Sequence, residues 1–150
     1  MPFEEKVTWV EAVVFAAVPA VYFVIVLGQL GTVPASEIAY QRPMLIAIGI
    51  SIVLTIVGAI LTGIGSGISA EITQPGSGAD IGRSDERDKQ IGRRGELIGY
   101  YVSSVGVVGA MALTMLEYPY FWIANTLYLS FVIAALVSAA VKLVAYRRGY

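Results

Sequence analysis

The chain of 150 residues is 57% hydrophobic and 14% charged, whereas an ordinary soluble domain is about 45 to 50% apolar and about 25% charged. This composition predicts a single all-α integral membrane domain spanning residues 1–150, and a net charge of −1 gives no reason to expect a nucleic-acid partner. The absence of cysteine and histidine excludes disulfides, thiolate metal sites and the usual catalytic base. We therefore expect no enzyme, no catalytic residues, no metal and no cofactor.

Four apolar runs are long enough to cross a membrane as helices, because about 20 residues rising about 1.5 Å each span the hydrocarbon core. They cover about residues 9–30, 44–70, 97–116 and 121–146, with a polar loop at 71–96. The first run follows an acidic start and lacks a clear cleavage site, so we expect a retained helix, kinked at Pro19, rather than a cleaved signal peptide. The short turn "EYPY", Glu117 to Tyr120, predicts an antiparallel hairpin of the last two spans.

The positive charges are distributed unequally between the two sides of these spans. One side carries Lys6, Arg83, Arg87, Lys89, Arg93, Arg94, Lys142, Arg147 and Arg148, and the other carries only Arg42. Because Lys and Arg near span ends stay in the cytoplasm, we expect both termini and the central loop to be cytoplasmic. The predicted fold is an antiparallel four-helix bundle within the lipid bilayer, with N-in and C-in orientation.

Small residues recur every three or four positions in the second and third spans, a spacing that lets helix backbones approach closely in lipid. The candidate packing residues are Gly58, Gly63, Gly67, Gly95, Gly99, Ser103 and Gly106. We expect the two stripes to form the central contact of the fold, with a homodimer interface as the alternative. The Gly- and Ser-rich end of the second span predicts that this helix frays near residues 65–67 or tilts.

The segment "SDERDKQIGRRGEL", Ser84 to Leu97, concentrates charges of both signs. Ser84 is a plausible N-cap, so a helical extension leading directly into the third span is expected. Three interpretations remain open for the segment: an orientation signal, a site for anionic lipid, and a docking surface for another membrane protein. The candidate interaction residues are Asp85, Glu86, Arg87, Asp88, Arg93, Arg94, Arg147 and Arg148.

The preferred function is that of a small membrane protein acting through protein contacts, as an accessory, regulatory or assembly component. The alternative is transport of an ion or small molecule through Glu11 and Asn125, the polar residues that lie about one turn inside the first and fourth spans. Small multidrug exporters also have four helices and a glutamate in the first. Their acid lies deep and their loops are short, whereas Glu11 is shallow and the central loop is long.

The second half of the chain, Ser84 to Tyr150, resembles a family of small uncharacterised membrane proteins of bacteria and archaea. The resemblance lies in "SDERDKQIGRRGELIGYYV", in "FWIAN" and in the closing "KLVAYRRGY". It implies about four helices, a "DER" motif before the third helix, a terminal "YRRG" and a prokaryotic cytoplasmic membrane. The positions it would carry over are Asp85, Glu86, Arg87, Tyr146, Arg147 and Arg148. It implies no biochemical activity.

Overall fold

The computed structural model of the protein describes residues 3–73 and 86–148, which form four long α-helices. These are α1, Phe3–Leu27; α2, Gln41–Thr73; α3, Glu86–Met115; and α4, Tyr120–Arg148, with a short 3-10 helix, Gly28–Gly31, after α1. Each α-helix is long and apolar enough to cross a membrane. The prediction of an all-helical chain with four candidate spans is therefore confirmed.

The charged segment before the third span is helical from Glu86 and runs into that span without a break. The expected helical extension is confirmed, and the proposed cap Ser84 lies outside the described residues. α3 ends at a turn in which Glu117 adopts a positive φ of 56°. The Glu117 amide donates to the Thr114 carbonyl and the Tyr118 amide to the Leu113 carbonyl, which is the Schellman pattern of helix termination. Pro119 follows and cannot extend α3.

The helix α2 continues through its glycines to Thr73, so the predicted fraying near residues 65–67 is wrong, and a tilted helix, the alternative to it, stays a prediction. Glycine lowers helix propensity by only about 1 kcal/mol relative to alanine. In an apolar environment, breaking the helix would leave backbone amides and carbonyls without hydrogen bonds, which costs several kcal/mol for each group. The backbone hydrogen bonds therefore outweigh the weak local propensity. α1 is likewise continuous through the buried Pro19.

The helices pack in the spatial order α3, α4, α1, α2. The largest contact joins α3 to α4, α4 also packs on α1, and α1 packs on α2. The predicted central contact between α2 and α3 within one chain is wrong. Small residues mark a face that can be approached closely, but they do not determine which helix approaches it. The short turn after α3 places α4 directly beside it.

The small residues of α3 lie against α4. A Cβ added to Gly106 would overlap Ser130, one added to Gly99 would lie 3.2 Å from the Ala134 carbonyl oxygen, and one added to Gly95 would lie 2.7 Å from Lys142 Cγ. Ser103 differs, because its hydroxyl donates to the carbonyl of Tyr100 in its own helix. Glycine therefore provides the close approach in this hairpin.

The small residues of α2 face α1 at two positions. A Cβ added to Gly58 would overlap Val10, and one added to Gly63 would lie 3.6 Å from the Phe3 ring. Gly67 has no such neighbour within 4 Å. The stripe on α2 thus contributes to the contact with α1 only along part of its length.

An apolar core lies at the end of the fold where α1 connects to α2. It consists of the buried residues Tyr22, Val26, Ile38, Ala47 and Phe121. The Tyr22 ring makes edge-to-face contacts with Phe23 and Tyr128, each at 5.1 Å between centroids. This aromatic packing fixes α1 against α4 at the end opposite the charged segment.

Candidate functional site

A charged cleft of about 290 Å³ lies where α1 and α3 begin and α4 ends. Its lining residues are Glu4, Val7, Thr8, Glu11, Asp88, Lys89, Gly92, Arg93, Glu96, Lys142 and Tyr146. It contains four carboxylates, two ammonium groups and one guanidinium. The cleft is the main concentration of ionisable side chains in the part of the chain that the structure describes.

Helical periodicity explains why these side chains meet. Glu4, Thr8 and Glu11 recur at intervals of four and three residues, so they share one face of α1. Asp88, Gly92 and Glu96 recur every four residues on α3, and Lys142 and Tyr146 are four residues apart on α4. Three polar stripes therefore converge where the apolar packing of the helices ends.

Two polar contacts order the outer part of the cleft. Lys89 Nζ donates to Glu86 Oε1 at 2.9 Å, although both side chains are largely exposed. On the neighbouring helix α4, Tyr146 lies beside the Asp88 carboxylate, with Glu4 and Arg87 nearby. The second contact fixes the start of α3 against the end of α4, while the exposed ion pair contributes about 0.3 to 0.5 kcal/mol.

The inner part of the cleft contains charges without ion-pair partners. Among the described residues, no oppositely charged group lies within 4 Å of Glu11, Glu96 or Arg93. Glu11 is half-buried, whereas Glu96 and Arg93 are exposed. Charges of both signs that no described residue neutralises can pair with complementary charges on another molecule.

Several predicted interaction residues lie in or near this cleft. Asp88 and Arg93 line it, Glu86 pairs with Lys89, and Arg87 lies near Tyr146. Asp85 lies outside the described residues.

The other predicted basic residues lie beyond the cleft lining. Arg94 and Arg148 are exposed, and the Arg147 guanidinium lies over the Trp9 ring, 5.8 Å from its centroid. The structure thus divides the predicted interaction set between the cleft and the surrounding surface.

The two residues predicted for transport are far apart. Glu11 lines the cleft, whereas Asn125 is buried at the other end of the fold, where its Oδ1 accepts a 2.8 Å hydrogen bond from the Tyr22 hydroxyl. The eleven-residue separation of Glu11 and Tyr22 corresponds to about 16 Å along α1. Buried Val14 and Pro19 lie between them in sequence. Asn125 therefore has a structural partner and does not share a site with Glu11.

Sequence reasoning missed Glu4, Thr8, Glu96 and Lys142 as members of one site. A signal was present, since the polar residues at the start of α1 follow helical spacing and Lys142 interrupts an otherwise apolar run. No spacing within a single helix reveals which face of a second helix it meets. The cleft could be recognised only after the order of helix packing was known.

No protein-family model matches this chain, and neither a curated protein nor a solved structure matches it at a significant level. The resemblance of residues 84–150 to a family of small membrane proteins therefore stays a prediction. Within residues 3–73 and 86–148, no group of three His, Cys, Asp or Glu side chains is arranged to hold a metal ion.

Proposed function

We propose that this protein is an integral membrane protein of a prokaryotic cytoplasmic membrane, with four crossing helices and both termini in the cytoplasm. Four long apolar helices support membrane insertion. Of the nine Lys and Arg residues that the structure describes, eight flank the end that carries the cleft, and such a bias is typical of the cytoplasmic side. Arg42, at the start of α2, is the exception.

Labelling of single cysteines in intact cells tests this orientation without background, because the chain contains no cysteine. Ser36 lies in the connection before α2 and Gln90 lies near the start of α3, and both are exposed. We expect a membrane-impermeant maleimide to label Ser36→Cys in intact cells and to label Gln90→Cys only after permeabilisation. Labelling of Gln90→Cys in intact cells would reverse the proposed orientation.

The function that the geometry supports best is binding of another membrane protein through the charged cleft, as an accessory, regulatory or assembly component. The observation that carries this proposal is the convergence of three helix ends on a charged cleft in which Glu11, Glu96 and Arg93 have no ion-pair partner among the described residues. Complementary charges at an interface select the partner and its orientation, and a like charge placed there costs several kcal/mol.

Charge reversal at Arg93 is expected to weaken partner binding by about tenfold or more, the equivalent of about 1.4 kcal/mol. The measurement uses a photo-crosslinking residue at position 90, purification from native membranes and quantification of the crosslinked partner with and without Arg93→Glu. Arg93 is suitable because it is exposed and lines the cleft.

The matched control is Arg94→Glu. Arg94 is the adjacent residue and is also exposed, but it does not line the cleft. Reversing its charge therefore changes the net charge of the segment as much as Arg93→Glu does, without changing the cleft. Equal losses for both variants would mean that the segment acts only through its overall charge. Unchanged partner recovery, together with loss of efflux from reconstituted vesicles on Glu11→Gln, would favour transport instead.

A further inference from the structure

A second concave surface lies between α1 and α2, at the same end of the molecule as the cleft. This open groove of about 570 Å³ is lined by Lys6, Trp9, Val10, Thr62, Gly65 and Ser66. Its α1 residues differ from those that line the cleft. At about 100° per residue, the two sets lie on nearly opposite faces of α1. The groove is therefore separate from the partner surface proposed above.

The polar groups that line the groove are mainly hydrogen-bond donors. Lys6 Nζ donates to Ser66 Oγ at 3.1 Å, which uses one of its three N–H groups. In the described part of the chain, no carboxylate lies within ion-pair distance of Lys6 and the Trp9 indole N–H has no hydrogen-bond partner. The neighbouring acid, Glu5, is buried and does not line the groove.

The remaining polar groups add to this donor set. Ser66 accepts from Lys6, which leaves its own O–H free to donate. Thr62 is already used, because its hydroxyl donates to the Gly58 carbonyl at 2.7 Å. Arg147 lies over the Trp9 ring but does not line the groove. One ammonium group and two unused neutral donors around one concavity match the chemistry of a phosphate oxyanion.

We propose that this groove binds the phosphate group of an anionic membrane lipid. Tryptophan is enriched at the depth of lipid headgroups, where one side of its ring meets hydrocarbon and its N–H meets polar groups. Apolar side chains of α2 next to the groove, among them Leu61 and Ile64, are more than half exposed, and acyl chains can cover them. A soluble phosphate compound would gain nothing from this apolar surface. The proposal rests on the membrane location proposed above, but not on the partner role.

Fluorescence quenching of Trp9 by brominated lipid tests this proposal. The chain has 2 tryptophans, so full-length protein carrying Trp122→Phe reports on Trp9 alone. It is reconstituted in vesicles that contain either brominated phosphatidylglycerol or brominated phosphatidylcholine at equal mole fraction. We expect stronger quenching by the anionic lipid. One basic group near a charged headgroup contributes about 1 kcal/mol, so Lys6→Gln should reduce the preference about fivefold.

Arg94→Gln is the matched control, because it removes the same charge from the same end, and Arg94 is exposed and lines neither the groove nor the cleft. This variant should keep the preference for the anionic lipid. Ser66→Ala is a second variant within the groove. It should weaken the preference for the anionic lipid without removing a charge. Far-UV circular dichroism verifies that each variant stays helical.

The possible outcomes separate this proposal from the membrane location. Absence of quenching by either lipid would contradict insertion. Equal quenching by both lipids, or a preference unchanged by Lys6→Gln, would overturn the lipid site alone. Relief of quenching by millimolar inorganic phosphate would assign the groove to a soluble phosphate compound and likewise overturn the lipid as its ligand.

Discussion

Replacing Gly106 by alanine is expected to lower the free energy of unfolding by about 1 to 3 kcal/mol, the usual cost of overpacking a close contact. A Cβ at this position would overlap Ser130 Cβ. Because that atom is bonded directly to the backbone of α4, no change of side-chain rotamer relieves the overlap. The two helices would have to separate, and the contact between α3 and α4 is the largest in the fold.

Gly109→Ala is the matched control for this prediction. A Cβ at Gly109 would meet only the Thr126 methyl group at 3.9 Å, an ordinary contact, and alanine improves helix propensity by up to about 1 kcal/mol. We therefore expect unchanged or slightly increased stability. Unfolding in mixed micelles with increasing dodecyl sulfate, followed by far-UV circular dichroism, measures both variants. Similar curves for the two would contradict the close packing of Gly106 on α4.

The contrast between these two glycines has a general cause. In lipid, burial of apolar side chains does not drive helices together, so packing depends on how closely their backbones approach. Gly106 and Gly109 are equally small and lie on the same apolar helix, but only the first is at the point of closest approach. Residue size alone therefore does not predict which glycine is required.

The helices themselves were predictable from the sequence because their signal is local. An apolar run of sufficient length must be helical in a membrane, since a helix satisfies its own backbone hydrogen bonds. The hairpin of α3 and α4 was also predictable, because "EYPY" leaves no room for another arrangement. The fraying predicted near residues 65–67 was wrong since it weighed glycine propensity above backbone hydrogen bonding.

The candidate site was only partly predictable. Asp88, Arg93 and Glu11 were recognised from charge, but they were assigned to two different functions. Their assembly into one cleft with Glu96 and Lys142 depends on α4 lying between α3 and α1 in the packing order. That packing order depends on how the side chains of different helices fit together. It cannot be predicted from hydropathy or from residue spacing within one helix.

Loss of the hydrogen bond between Tyr22 and Asn125 is expected to lower the free energy of unfolding by about 1 to 2 kcal/mol. The Tyr22 hydroxyl donates to Asn125 Oδ1 at 2.8 Å, and Asn125 Nδ2 donates to the Phe121 carbonyl oxygen. Both side chains are buried. Tyr22→Phe keeps the ring and its aromatic contacts but leaves Asn125 Oδ1 without its donor, so the cost is that of an unsatisfied buried acceptor.

A double-mutant cycle separates this hydrogen bond from the packing around it. Asn125→Ala removes the acceptor but also a buried volume, so its effect alone does not measure the bond. If the bond couples α1 to α4, Tyr22→Phe should cost much less in the Asn125→Ala background than in the unmodified protein, with a coupling energy of about 1 kcal/mol. Tyr120→Phe is the control, because Tyr120 is 83% exposed and should change stability by less than about 0.5 kcal/mol. Additive effects of Tyr22→Phe and Asn125→Ala would contradict this coupling and would mean that aromatic packing alone holds α1 to α4 at this end.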